Sequence, residues 1–115
     1  MFYGVLNEAG TDKYYHITYE DMGVYEAYKK YATKGEWMDF LSSKAAKWLP
    51  NPVKSGKVTL NKSSKCYFTQ FGYNKFKSDT LPVFEKVLDK DKIITNVIDI
   101  DEDKIKYRDK YQIVI

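Results

Sequence analysis

Between Tyr14 and Trp48 the apolar pattern changes its period, and that change constrains the fold more than any other feature of the chain. Tyr14 to Tyr19 is an aromatic and β-branched run suited to a strand. Val24, Tyr25, Tyr28, Tyr31 and Ala32 then recur at three- and four-residue steps, the spacing of an amphipathic helix ending near Gly35. The tetrapeptide Thr18-Tyr19-Glu20-Asp21, a hydroxyl followed three residues later by an acid, has the capping-box form for that helix. Trp37, Phe40, Leu41, Ala45 and Trp48 continue a helical stripe from Glu36 onward. Lys44 falls inside this stripe. Either its stem lies flat with the ammonium in water, or the helix breaks at Ser42-Ser43 and restarts under a serine cap. Pro50 and Pro52 end the helix in both cases.

The flanking segments supply more strands. Phe2 to Asn7 reads as a strand, joined to Tyr14 to Tyr19 by the turn residues Ala9-Gly10-Thr11-Asp12 in a β-hairpin. Asn51 to Gly56 is a loop. Val58 to Leu60 and Cys66 to Phe68 are short strands around the polar turn Asn61-Lys62-Ser63-Ser64. Thr69 is placed to cap a helix running through Tyr73 and Phe76. Pro82 suits the first turn of another helix, capped by Asp79 or Thr80, that turns Phe84, Val87 and Leu88 inward. Ile93 to Ile100 is a β-branched strand. Lys104 to Tyr107 and Tyr111 to Ile115 form a last hairpin around Arg108-Asp109-Lys110. This order predicts an α+β fold: a single domain over residues 1–115, with a mainly antiparallel sheet and two or three helices on one face.

A length of 115 residues suffices for one core without disulfide or metal staples, and a hydrophobic fraction of 43% argues against disorder. Cys66 is the one cysteine, so no internal disulfide forms. No charged segment followed by an apolar one opens the given sequence and no apolar run approaches membrane-spanning length, so a reducing, cytoplasmic setting with no membrane partner is expected. Aromatics reach 17%, with eleven tyrosines, whose rings favour burial while their hydroxyls need partners.

Charge is distributed unevenly. Met1 to Asp39 holds seven acids and four lysines, and Asp79 to Ile115 holds nine acids and seven bases. Phe40 to Ser78 holds eight lysines and no acid. Interleaved with Trp48, Tyr67, Phe68, Phe71, Tyr73 and Phe76, these lysines have the makings of a cationic groove with aromatic platforms, the chemistry that single-stranded nucleic acid requires. The plainer alternative is that the aromatics form core and the lysines coat a solvated face. An acid-free block on one face would attract a polyanionic partner, either a nucleic acid or an acidic or nucleoprotein surface. Arg108 is the sole arginine, so backbone or shape recognition is expected over base reading. The residues singled out for partner binding are Lys44, Lys47, Lys54, Lys57, Lys62 and Lys65, with Trp48 as the aromatic anchor. The leading expectation is a small non-enzymatic binding domain, regulatory or inhibitory, of the type phages and mobile elements encode.

Three short patches carry a different implication. Tyr15-His16-Ile17-Thr18, Tyr67-Phe68-Thr69 and Tyr111-Gln112-Ile113-Val114-Ile115 together resemble small ADP-ribosyltransferases, which use an early-strand histidine, a middle-strand tyrosine and a late-strand acid. The resemblance implies NAD as co-substrate, with His16 on its ribose, Tyr67 stacking on nicotinamide and Gln112 at the late-strand position. Gln112 departs from the pattern, because an amide cannot supply the carboxylate. The plainer reading of His16 is a half-buried strand histidine. A third role, oligomerisation, would use the tyrosine-rich helix Val24 to Ala32. Asp99, Asp101 and Asp103 would share a strand face and could hold a hard cation, although a strand end entering a charged turn is the plainer account of them. One histidine and one cysteine cannot build a structural zinc site. No glycine-rich phosphate loop occurs, and the chain calls for no resident cofactor.

Overall fold

The computed structural model describes residues 11–60 and 64–115. The expected strand Phe2 to Asn7, the turn residues Ala9 and Gly10, and Asn61, Lys62 and Ser63 lie outside the described residues. In chain order the elements are β1 (Thr11–Tyr19), β2 (Met22–Gly23), α1 (Val24–Tyr31), α2 (Lys34–Ser42), α3 (Lys44–Lys47), β3 (Cys66–Phe68) and α4 (Gln70–Lys75). A π-helical turn Phe76–Thr80 then leads into α5 (Leu81–Phe84), followed by β4 (Ile93–Asp101), β5 (Tyr107–Arg108) and β6 (Gln112–Val114). The fold is α+β. An antiparallel sheet runs in the order β2-β1-β3-β6-β5, with β4 paired to β1 off that path.

Several local expectations are corrected. Thr11 and Asp12 open β1 instead of forming a turn. The Thr18–Asp21 capping box is not built, because Thr18 and Tyr19 pair with Gly23 and Met22 in a tight hairpin. Glu20 takes a left-handed φ of 55° at its corner, and α1 starts from Gly23 with no side-chain cap. The reciprocal box forms instead at α2: the Glu36 N–H donates to Thr33 Oγ1 at 3.1 Å, and the Thr33 N–H donates to Glu36 Oε1 at 2.8 Å. The helix does break at Ser43. Its hydroxyl donates back to Phe40 O at 2.7 Å and does not cap α3. Val58 to Leu60 is not a strand. Lys104 belongs to a single helical turn, Glu102–Lys104, closed by the Ile105 N–H donating to Glu102 O, so the last hairpin begins only at Tyr107. Thr80 precedes α5 without capping it by its side chain.

The chain divides into two compact units. The first comprises, among the described residues, 11–16, 49–60, 64–73 and 97–115. Its core gathers Tyr14, Tyr67, Ile100 and Ile113, with Ile98, Ile105 and Ile115 packed against them. Tyr15 lies opposite Phe68, and Phe68 opposite Gln112, so these three share one sheet face. His16, Tyr67 and Ile113 therefore share the other. On the Gln112 face, the Tyr15 and Tyr73 rings stack at 4.5 Å with planes 6° apart, and the Tyr15 hydroxyl donates to Gln70 Oε1.

Thr69 fastens α4 to the β5–β6 turn. Its N–H donates to Tyr111 O at 3.0 Å and its hydroxyl to Lys110 O at 2.8 Å. The same Oγ1 accepts the Gly72 N–H at 3.1 Å, which is the expected helix cap. Gly72 lets the two backbones touch: a Cβ there would sit 1.9 Å from Tyr111 O.

The second unit comprises Ile17–Trp48 and Asn74–Asn96. Phe84, fully buried, is its hub. Its ring stacks on Tyr28 at 4.4 Å and meets Phe40 at 5.0 Å, Tyr25 at 5.1 Å and Phe76 at 5.8 Å. Each such pair contributes about 1 kcal/mol beyond the area it buries. Thr80, also fully buried, accepts the Trp48 Nε1–H at 2.8 Å and donates to Ala45 O at 2.6 Å, tying α3 to the start of α5.

Candidate functional site

The lysines of the acid-free block fall in both units. In the second, Lys44 and Lys47 are exposed on α3, where the break at Ser43 frees Lys44 from the apolar stripe. Trp48 follows them half-buried, its indole N–H committed to Thr80. In the first, Lys54 and Lys57 are exposed on a loop with its own hydrogen bonds. The Lys54 N–H donates to Asn51 Oδ1 at 3.0 Å and the Lys57 N–H to Pro52 O at 2.8 Å, with Gly56 at φ 78° between them. Gln112 Nε2 anchors the loop by donating to Pro50 O at 2.7 Å. Lys65 is exposed beside β3, its backbone paired with Ile115. Lys62 lies outside the described residues.

None of Lys44, Lys47, Lys54, Lys57 and Lys65 makes an ion pair among the described residues. Lys75, by contrast, meets Asp79 at 2.7 Å, and this contact with the Ser78 hydrogen bond holds the Asp79 carboxyl below its usual range.

His16 and Tyr67 are brought together, rings 5.0 Å apart and edge to face at 88°. Gln112 is on the opposite sheet face and buried, its amide spent on Pro50 O and on Asp109 Oδ2 at 3.2 Å. Tyr67 is itself core, 6% exposed, and offers no open ring face for stacking. The three patches thus bring two of their three residues together. Burial and the nearby Lys65 ammonium lower the His16 pKa. Cys66 and His16 also point to opposite faces, and burial raises the Cys66 thiol, so it is a weak nucleophile at neutral pH.

The acidic segment is dispersed. Asp99 meets Lys13 at 3.6 Å and Glu102 meets Arg108 at 3.0 Å. Asp103 leaves β4 for the helical turn and so loses the strand face it was expected to share. Among the described residues, no group of three His, Cys, Asp or Glu side chains is placed to hold a metal ion. In α1, Tyr28 is buried and Tyr25 is packed among Phe40, Phe76 and Phe84, so within their own unit these tyrosines already have partners. No helix among the described residues is long and apolar enough to cross a membrane.

Sequence reading missed a second lysine–aromatic group, at the β5–β6 turn, where Lys110 lies against Phe71 and Tyr111. Its signal was the isolated Gly72 inside a helical pattern, a mark of close backbone approach. No protein-family model, curated protein or solved structure matches this chain.

Proposed function

We propose that this chain is a small binding domain, regulatory or inhibitory in role, that engages a nucleic acid through the lysines of its middle third. The observation that carries this reading is the exposure of Lys44, Lys47, Lys54, Lys57 and Lys65 without an ion-pair partner among the described residues. Their charge is available to an outside anion. Lysine ammoniums act as point charges toward phosphates, and each contact releases a condensed counterion. With no arginine between Phe40 and Ser78, the recognition is of backbone and shape.

The test is binding to labelled single- and double-stranded oligonucleotides across a salt series. Affinity should fall steeply with salt, with a log–log slope of roughly 0.7–0.9 per phosphate contact. Combining Lys54→Glu, Lys57→Glu and Lys65→Glu should weaken binding at least about tenfold while leaving thermal stability nearly unchanged, as expected for exposed side chains. Equal loss of binding and stability would return these lysines to the fold. Absence of binding at low salt would remove the nucleic-acid reading, and capture of an acidic polypeptide in its place would assign the block to a protein partner.

A further inference from the structure

We propose that Phe71, Tyr111 and Lys110 form a stacking subsite for one unpaired nucleotide, an inference that rests on the nucleic-acid reading above and adds single-strand selectivity to it. Phe71 stands in the first turn of α4 with 42% of its surface exposed. Its ring centre is 5.6 Å from that of Tyr111. The Lys110 ammonium sits 4.1 Å from the Phe71 ring centre and 5.8 Å from that of Tyr111. One exposed aromatic ring is unremarkable on a protein surface. The way this one is held is informative.

Several constraints hold the backbone around it. Thr69 binds Tyr111 O and Lys110 O, Gly72 binds Thr69 and abuts the Tyr111 carbonyl, and Asp109 fixes the turn. Asp109 Oδ1 accepts the Tyr111 N–H at 2.7 Å and the Gln112 N–H at 3.0 Å. Its Oδ2 accepts the Tyr107 hydroxyl at 2.7 Å and Gln112 Nε2 at 3.2 Å. The acid next to Lys110 in sequence is therefore spent on the fold. Lys110 makes no ion pair among the described residues and rests over the ring instead.

That arrangement sets the ring and Lys110 on a fixed backbone, so that the Lys110 side chain is the part that must move when a ligand arrives. A cation–π contact at an exposed site is weak, so a phosphate competes well for the ammonium. As Lys110 swings to the phosphate, the Phe71 face is uncovered for the base. Bases paired within a duplex do not present that face, so the subsite selects single strands.

The experiment uses the full chain, a short oligothymidylate carrying one 2-aminopurine, and a duplex of matched length. Phe71→Leu keeps an apolar residue of good helix propensity and removes the stacking face. It should cost roughly 5- to 100-fold in single-strand affinity and abolish the fluorescence quenching, with duplex affinity and melting temperature unchanged. Lys110→Gln should lower the salt slope by about one. Undiminished single-strand affinity and quenching in Phe71→Leu overturn the subsite while leaving the lysine reading standing. Equal losses on both oligonucleotides, with a lower melting temperature, assign Phe71 to the fold and also overturn it. Failure of the unaltered protein to bind either probe removes both readings together.

Discussion

Replacing a glycine inside a helix by alanine ordinarily stabilises it by about 1 kcal/mol, because glycine has more backbone freedom to lose. Gly72 in α4 should do the reverse. The added Cβ would stand 1.9 Å from Tyr111 O, 2.7 Å from its carbonyl carbon and 2.9 Å from its Cα, all main-chain atoms. They cannot retreat without stretching the Thr69 bonds that hold the turn. Gly72→Ala is expected to destabilise by about 1–3 kcal/mol, read as a lower urea midpoint at unchanged slope; a raised midpoint would mean that α4 slides freely. A glycine in a helical pattern hints at such contact, but its partner lies far along the chain and nothing local names it. The same limit applies to Gln112. Its sequence position suited a site, whereas the register across β3 and β6 turns it to the face opposite His16 and Tyr67.

At the scale of elements, local chemistry predicted type better than boundaries. Thr18–Asp21 and Thr33–Glu36 present the same hydroxyl-to-acid spacing, and only the second becomes a capping box. The difference lies in Thr18 and Tyr19, which the β1–β2 hairpin claims for its ladder. The cap at Thr69 was legible because it depends on residues within one turn, whereas the sequence leaves the break at Ser42-Ser43 as one of two alternatives and the serine cap expected with it does not form. Val58 to Leu60 has strand-forming residues but pairs with no described strand, and composition cannot supply a neighbour. Thr80 shows how elements are joined once formed, taking the Trp48 N–H and giving its proton to Ala45 O. Thr80→Val keeps the volume and strips both bonds, leaving the indole N–H and the carbonyl without that partner. A loss of about 1–3 kcal/mol is expected, with altered Trp48 fluorescence, while Thr80→Ser should retain most of the stability. Equal stability of the valine variant would show that these bonds do not hold α3 to α5.

Across the whole molecule, the α+β class was readable from the change of apolar period, and the acid-free block from simple counting. The division into two units built from interleaved segments was not, since it depends on contacts between residues distant in sequence. The tyrosine content has a global consequence in pH. Burial raises the phenols of Tyr28 and Tyr67, and burial with the Asp109 carboxylate pushes Tyr107 to about 12. A raised folded pKa gives stability that is fully present below the unfolded value of 10.0 and is lost as pH rises through the folded value. His16 works in the opposite sense. Its depressed pKa gives stability present above 6.5 and lost as pH falls through the folded value. Melting temperature should therefore be highest between these limits, and phenolate absorbance should rise together with loss of circular dichroism above pH 10.0. Removing the imidazole by His16→Gln should flatten the fall on the acid side near pH 6.5; an unaltered acid limb would show that His16 does not set it. Cys66, finally, is the single thiol of the chain, exposed on β3 and adjacent to Lys65. It offers one attachment point for a maleimide dye without any mutation. Although the residue is exposed, partial burial of its sulfur raises the thiol above its ordinary value, so coupling will be faster in mild alkali than at neutral pH, and the tethered fluorophore would report a partner arriving at Lys65.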